Sequence, residues 1–164
     1  IAHLYSPKNP ENIHIRRCTM KENVSCGLSP QGGKHLVVSD CDFINNGHID
    51  PASQIDWEDG RVHMQGHIIR RNRFINDTSY TCQIVSTASR DITFHDNYVE
   101  RCPYGIGAEA QNTRTFRNMF KKCGINYNNK ADCVFVGNTY TQEPTFGTPQ
   151  GGTLMKYNNK LLDN

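Results

Sequence analysis

The chain has 164 residues, 36% of them hydrophobic and 21% charged, with a formal net charge of +2. That length holds one domain, the mixed charge leaves no basic footprint for nucleic acid, and no apolar run approaches the roughly 18 residues of a membrane span. The low hydrophobic content suits a solenoid, whose core is thin and whose surface is large.

Residues 1–5 read as the last strand of an earlier coil, followed by the turn Ser6-Pro7-Lys8-Asn9-Pro10. An incomplete piece of a longer solenoid is therefore expected, because natural solenoids cap their raw strand edges. From residue 12 onward a pattern recurs. Cys18, Cys41, Asn72, Asn97, Asn118, Asn138 and Asn159 follow one another at intervals of 23, 31, 25, 21, 20 and 21 residues. A period in the twenties is the signature of stacked coils.

Neighbouring columns support this register. Two residues after each marker stand Met20, Phe43, Phe74, Val99, Phe120, Tyr140 and Leu161. Three before it come Ile15, Val38, Ile69, Phe94, Thr115, Phe135 and Lys156, and five before it Ile13, Leu36, His67, Ile92, Thr113, Cys133 and Leu154. Most are apolar, as a strand with one face inward requires. Thr113, Thr115 and Lys156 are exceptions and suggest local slips of register. A second column of bend residues, five after the marker, contains Asn23, Asn46, Asp77, Cys102, Cys123 and Glu143. Inward asparagines at bends can hydrogen-bond along their column and to the turn backbone, which meets the demand that buried amides be paired.

On Asn72, Asn97, Asn118 and Asn138 with their flanking strands, over roughly residues 12–161, the chain resembles the right-handed parallel β-helix of the pectate-lyase-like superfamily. The resemblance implies an all-β, single-stranded solenoid of about seven coils of 20–31 residues, one domain over residues 1–164 with a long coil and insertion at 42–71. Relatives of this kind are polysaccharide lyases, glycoside hydrolases and phage tailspikes or appendages, often parallel homotrimers. Fold analogy does not choose among them.

The seven cysteines, an odd count, are not framed for disulfides, and four of them share columns in pairs, Cys18 with Cys41 and Cys102 with Cys123. Reduced, buried cysteine behaves as a small apolar residue, which points to assembly in a reducing cytoplasm and, for a phage protein, a virion tail or extracellular surface as destination. His67 falls in an inward column and reads as a core histidine. Breaker clusters at residues 29–33, 45–47 and 147–152 mark turns between strands. Residues 141–152 read as a surface excursion, and no amphipathic helix is evident.

The repeat breaks at the 31-residue interval between Cys41 and Asn72. Insertions in solenoids map to loops on one face, often the binding face. Alternation along residues 55–58 puts Ile55 and Trp57 inward and Asp56 and Glu58 outward. Matching strands in other coils would add Gln83, Glu109, Asn126 and Asn128, a polar stripe with Gly105 and Gly107 leaving a shallow groove. Carboxylates and amides in a groove suit the hydroxyls of a glycan, either a polysaccharide or a teichoic-acid-like polymer.

Glycoside cleavage needs one carboxyl as general acid and another as base or nucleophile. Asp56, Glu58 and Asp59 form the candidate set, with Glu109 as a partner from two coils away. Two other readings compete. The acids can be solvated or paired with Arg61, Arg70 and Arg71. They can also hold calcium with His48 and Asp50 while Arg61, Arg90 or His63 abstracts a proton, as the resemblance to lyases implies. No spacing matches a defined calcium loop or zinc pair, so no metal ligand is assigned; Arg90 joins Gln83, Asn126 and Asn128 as a substrate-binding candidate. Either a carbohydrate-cleaving enzyme or a non-catalytic glycan-binding or structural virion module follows.

Overall fold

The structure is a computed structural model that describes residues 2–4, 10–48, 53–57, 63–76, 80–84, 89–103, 106–108, 110–124, 126–127, 132–146 and 153–163. Backbone alone is described for residues 2–4, 57, 80, 82–84, 107–108 and 126–127. Among the described residues there is no helix, and every strand pairing is parallel. The chain is a parallel β-solenoid.

Each coil passes through three sheets. Sheet 1 has five strands, Ala2–Leu4, Cys26–Pro30, Ser53–Trp57, Tyr80–Ile84 and Ile106–Ala108. Sheet 2 has seven, His14–Arg16, Val37–Ser39, Ile68–Arg70, Thr93–His95, Arg114–Phe116, Cys133–Val136 and Leu154–Tyr157. Sheet 3 also has seven, Thr19–Lys21, Asp42–Ile44, Arg73–Ile75, Tyr98–Glu100, Met119–Lys121, Thr139–Tyr140 and Lys160–Leu161. The seven-coil expectation holds on sheets 2 and 3. The strand Ala2–Leu4 pairs with Cys26–Pro30, as expected of a strand from a preceding coil.

Between sheets 2 and 3 lies the marker column, and it is a hydrogen-bonded ladder. The backbone N–H of Cys41 donates to Asn72 Oδ1 at 2.9 Å, Asn72 to Asn97 at 3.0 Å, Asn97 to Asn118 at 2.9 Å and Asn118 to Asn138 at 3.0 Å. Asn138 donates to Asn159 at 2.9 Å. Each amide nitrogen donates in turn to a carbonyl of an earlier strand, as Asn97 Nδ2 does to Ile69 O at 3.0 Å. At the start of the ladder Cys41 Sγ takes the acceptor role from the Cys18 N–H at 3.4 Å.

The core is filled by the two flanking columns. Phe43 stacks on Phe74 with centroids 4.8 Å apart, Phe74 on Phe94 at 5.7 Å, Phe94 on Phe120 at 6.4 Å and Phe120 on Phe135 at 6.3 Å. Phe43, Phe74 and Phe120 come from sheet 3 and Phe94 and Phe135 from sheet 2, so from Phe74 onward the stack ties the two faces together. The expected slips of register do not occur. Thr115 pairs with Phe94 and Phe135, Phe135 pairs with Lys156, and both Thr113 and Thr115 are fully buried. Thr113 is kept inside by donating from Oγ1 to Ala110 O at 2.9 Å. Lys156 is exposed in the last strand of sheet 2, its Nζ 4.4 Å over the Phe146 ring.

The bends follow a rule that side-chain type does not announce. Left-handed backbone recurs in triplets five residues apart: Asn12, Arg17 and Glu22; His35, Asp40 and Asn45; Gly66, Arg71 and Asn76; Asp91, Asp96 and Arg101; Asn112, Arg117 and Lys122. Each non-glycine residue there carries a steric cost of roughly 1–2 kcal/mol. Hydrogen bonds between coils offset it at the corner before the asparagine ladder. Arg71 donates to both Asp40 oxygens at 2.7 and 2.9 Å, and Arg117 to both Asp96 oxygens at 2.7 Å. Those guanidinium bonds hold the Asp40 and Asp96 carboxyls down to about 2.

Remaining expectations fare unevenly. His67 is fully buried, with Nε2 3.0 Å from Gly33 O, and burial pushes its imidazole down to about 4. The breaker cluster at 29–33 begins inside a strand, since Ser29 and Pro30 end Cys26–Pro30 and only Gly32 and Gly33 have positive φ. Within 141–152, Thr145–Phe146 forms a short strand against Asn126–Tyr127.

Candidate functional site

Sheet 1 carries the sequence-derived site, and its register decides what stands together. Asp56 pairs with Gln83, and Gln83 with Gly107. Leu28 pairs with Ile55, which sets Ser29 beside Asp56 on the other side. One lateral row across four coils therefore reads Ser29, Asp56, Gln83, Gly107. Gln83 was expected in this row, and Gly107 supplies the low relief next to it.

Asp56 does not face open solvent as expected. It is 2% exposed, and Ser53, Gln54 and Ile55 are buried as well, as are all five residues of Cys26–Pro30. Sheet 1 is covered on both faces here, so in-and-out alternation does not become core-and-solvent alternation. Cys26, 2% exposed, is close enough to Asp56 to sense its charge; burial raises its thiol and the carboxylate raises it further. Cys26 and Ser29 are the neighbours that sequence reasoning missed. Their signal lies in the register of residues 26–29 against 53–56, three residues from a match of 25–28 with 55–58.

A polar network braces the strand of Asp56 from the side of sheet 3. Asn46 is fully buried; it accepts from the Asn23 N–H at 3.0 Å and donates from Nδ2 to Met20 O at 2.9 Å and to Gln54 Oε1. Gln54 Nε2 donates onward to Ile75 O at 3.3 Å. The chain packs so closely that a Cβ on Gly27 would stand 2.8 Å from Gln54 O and 2.9 Å from the Phe43 ring.

The other expected residues divide into two groups. Glu58, Asp59, Arg61, Glu109 and Asn128 lie outside the described residues, as do Asp50 and Gly105. His63 is exposed just before the strand Met64–Gln65, and His48 is exposed at the end of the sheet 3 corner. Arg90 is exposed on a small ladder between sheets 1 and 2, bridged to Gln65 and Gln111, with Nε 3.9 Å from the Asp91 carboxylate. Asn126 belongs to the strand Asn126–Tyr127, which pairs with Thr145–Phe146 in a separate two-stranded sheet. Among the described residues no three His, Cys, Asp or Glu side chains converge as metal ligands would.

A groove of about 690 Å³ opens elsewhere, on the outer face of sheet 3, lined by Tyr98, Met119, Lys121, Lys122, Thr141 and Leu162. It contains none of the residues expected from the sequence. The cysteine stacks lie beside these sheets as free thiols: Cys102 donates its N–H to Cys123 Sγ at 3.3 Å, and Cys18 is exposed while Cys41 is buried.

No family model matches the chain, and no curated protein or solved structure does. Function therefore has to be argued from the coil geometry.

Proposed function

We propose that the chain is a carbohydrate-active domain of the pectate-lyase-like kind, cleaving a cell-surface or cell-wall polysaccharide on the sheet 1 side. The observation that carries this reading is the placement of Asp56. It is the one acid among the described residues of sheet 1, it sits mid-sheet at 2% exposure, and it is flanked by Ser29 and Gln83. Withdrawal from bulk water is the setting in which a carboxyl can be kept protonated as a general acid. Gln83 and the low relief at Gly107 would receive sugar hydroxyls. Glu58, Asp59 or Glu109 would act as base or nucleophile, with Arg61, His63 or Arg90 as the base in an elimination. Calcium, if used, would fall to the carboxylates of the long coil. A virion tail or extracellular surface and a parallel homotrimer belong to the same proposal.

A second reading is favoured by the same burial. A carboxyl packed between coils can serve stacking alone, leaving a glycan-binding or structural surface module with no turnover. Incubation with a polysaccharide and teichoic-acid panel separates the two. New reducing ends or unsaturated products that vanish in Asp56→Asn, with the thermal midpoint unchanged, support cleavage. Turnover that persists in Asp56→Asn refutes the assignment of Asp56, and a panel without products favours the binding module.

A further inference from the structure

Sheet 2 presents an outer face that the proposal for Asp56 does not use. Its outward positions and the adjoining bends hold Arg16, Arg17, Arg70, Arg71, Arg114 and Arg117 against three carboxylates, Asp40, Asp91 and Asp96. No lysine stands at these positions in those five coils, although the chain has eight lysines, and the whole chain carries only +2. The cations are also ordered along the solenoid. Successive coils read Arg16-Arg17, Ser39-Asp40, Arg70-Arg71, His95-Asp96 and Phe116-Arg117. Arginine thus recurs in every second coil, an axial period of about 9–10 Å from two strand separations.

Part of this charge is already spent within the fold. Arg71 and Arg117 are held by Asp40 and Asp96, and Arg16 Nε lies 3.7 Å from Asp40. Arg117 also lies over the Phe116 ring at 4.7 Å, and His95 stacks on that ring at 4.8 Å. Arg70 and Arg114 are different. Arg70 Nε is buried with no hydrogen-bond partner, and among the described residues Arg114 has neither an ion pair nor a side-chain hydrogen bond while being exposed. Arg114 therefore stands exposed on the sheet face with donors to give, and Arg70 stands half-buried two coils away, with coils carrying Asp40 and Asp96 in between the arginine coils.

We infer that the outer face of sheet 2 binds an extended acidic polysaccharide that bears its carboxylates on alternate sugars. The guanidinium fork matches a carboxylate in bidentate geometry, which an ammonium does not. Carboxylates seated on the arginine coils leave the intervening uncharged sugars opposite Asp40 and Asp96, where a second negative charge would be repelled and a neutral sugar is not. A polyanion charged at every unit fits less well. Nucleic acid, with a negative charge about every 1.7 Å of duplex, would set phosphates against Asp40 and Asp96. A chain of uronates would set every second carboxylate there.

Binding of end-labelled oligosaccharides to the purified chain, followed by fluorescence anisotropy, tests this. The probes are hyaluronan oligosaccharide with carboxylates on alternate sugars, oligogalacturonate with one on every sugar, neutral dextran and a single-stranded DNA oligonucleotide. Hyaluronan is expected to bind tightest and dextran not at all. The double variant Arg70→Gln/Arg114→Gln should raise the hyaluronan Kd by about tenfold or more, as loss of one or two charge-assisted bonds implies. Arg73→Gln, on sheet 3, should leave it unchanged. Should the double variant fold poorly, Arg114→Gln alone decides, because that side chain is exposed. Absence of hyaluronan binding, equal or tighter binding of oligogalacturonate or DNA, or a Kd indifferent to Arg114 overturns the inference. Products released at Asp56 play no part in this readout, so the two proposals fail separately.

Discussion

From six residues before the marker to four after it, sheets 2 and 3 take the same eleven residues in each of the five coils between residues 12 and 122, with left-handed bends at the first, sixth and last. Across sheet 1 the same coils differ, and the whole spread of intervals from 20 to 31 residues falls there. The two sides are held by different means. The sheet 2 to sheet 3 corner repeats one set of bonds, an asparagine acceptor for the backbone N–H of each marker from Cys41 to Asn138, beside a stack of phenylalanines. The sheet 1 side relies on single contacts, such as Gln54 with Asn46 or the tight approach at Gly27. A repeated bond set fixes the axis, and a non-repeated side is free to vary its chemistry, so Asp56 lies on the second.

That contrast can be broken first at its aromatic zipper. Phe94→Ala removes a ring stacked on both Phe74 and Phe120 and is expected to cost about 3–5 kcal/mol in denaturant unfolding; a loss below about 1 kcal/mol would mean the rings do not carry the core. His67 comes next. Its imidazole titrates at about 4 in the fold against about 6.5 unfolded, so the unfolded chain binds more protons between those values and stability rises with pH. Acidifying from pH 7 to 4 should cost about 3 kcal/mol from this residue, and His67→Leu should flatten that part of the profile.

Asn118→Ala leaves the Asn97 N–H and Nδ2 without their acceptor and should cost about 2 kcal/mol. Gly27→Ala is the matching test on sheet 1. Its Cβ would meet backbone at 2.8 Å, and a cost of about 1–3 kcal/mol is expected from overpacking. The smallest effect belongs to the outer corner: a double-mutant cycle on Asp96 and Arg117 should return about 0.2–1 kcal/mol at neutral pH. Because the Asp96 carboxyl is lowered to about 2, that coupling should persist through pH 4 and disappear as the pH falls from about 3.8 toward 2.

The regular side was the legible side. The asparagine column and the apolar columns beside it are visible in a sequence because inward side chains at one bend keep to one type, amide or apolar, over several coils. The bends were not legible, since Arg17, His35, Arg71, Arg101 and Lys122 are residue types that do not signal left-handed backbone. The arginine face was missed for the same reason: Arg70 and Arg71 look like ordinary surface charge until the coils are stacked and Arg16, Arg114 and Arg117 come into line. On sheet 1 the alternation rule was misleading. It located Asp56 and Gln83 in one row, but burial of both sheet faces makes Asp56 an interior group.

All of these assignments require that successive coils stack in the stated register. Spin labels on sheet 3 measure this directly by double electron–electron resonance. Thr19, Asp42, Arg73, Tyr98, Met119 and Thr139 form one lateral row. In a Cys18→Ser background, labels at Thr19 and Met119 should lie about 19 Å apart and labels at Thr19 and Thr139 about 24 Å, four and five strand separations. Distances that do not grow by one strand separation per coil would contradict the stacking, and with it the row containing Asp56 and the arginine period of sheet 2.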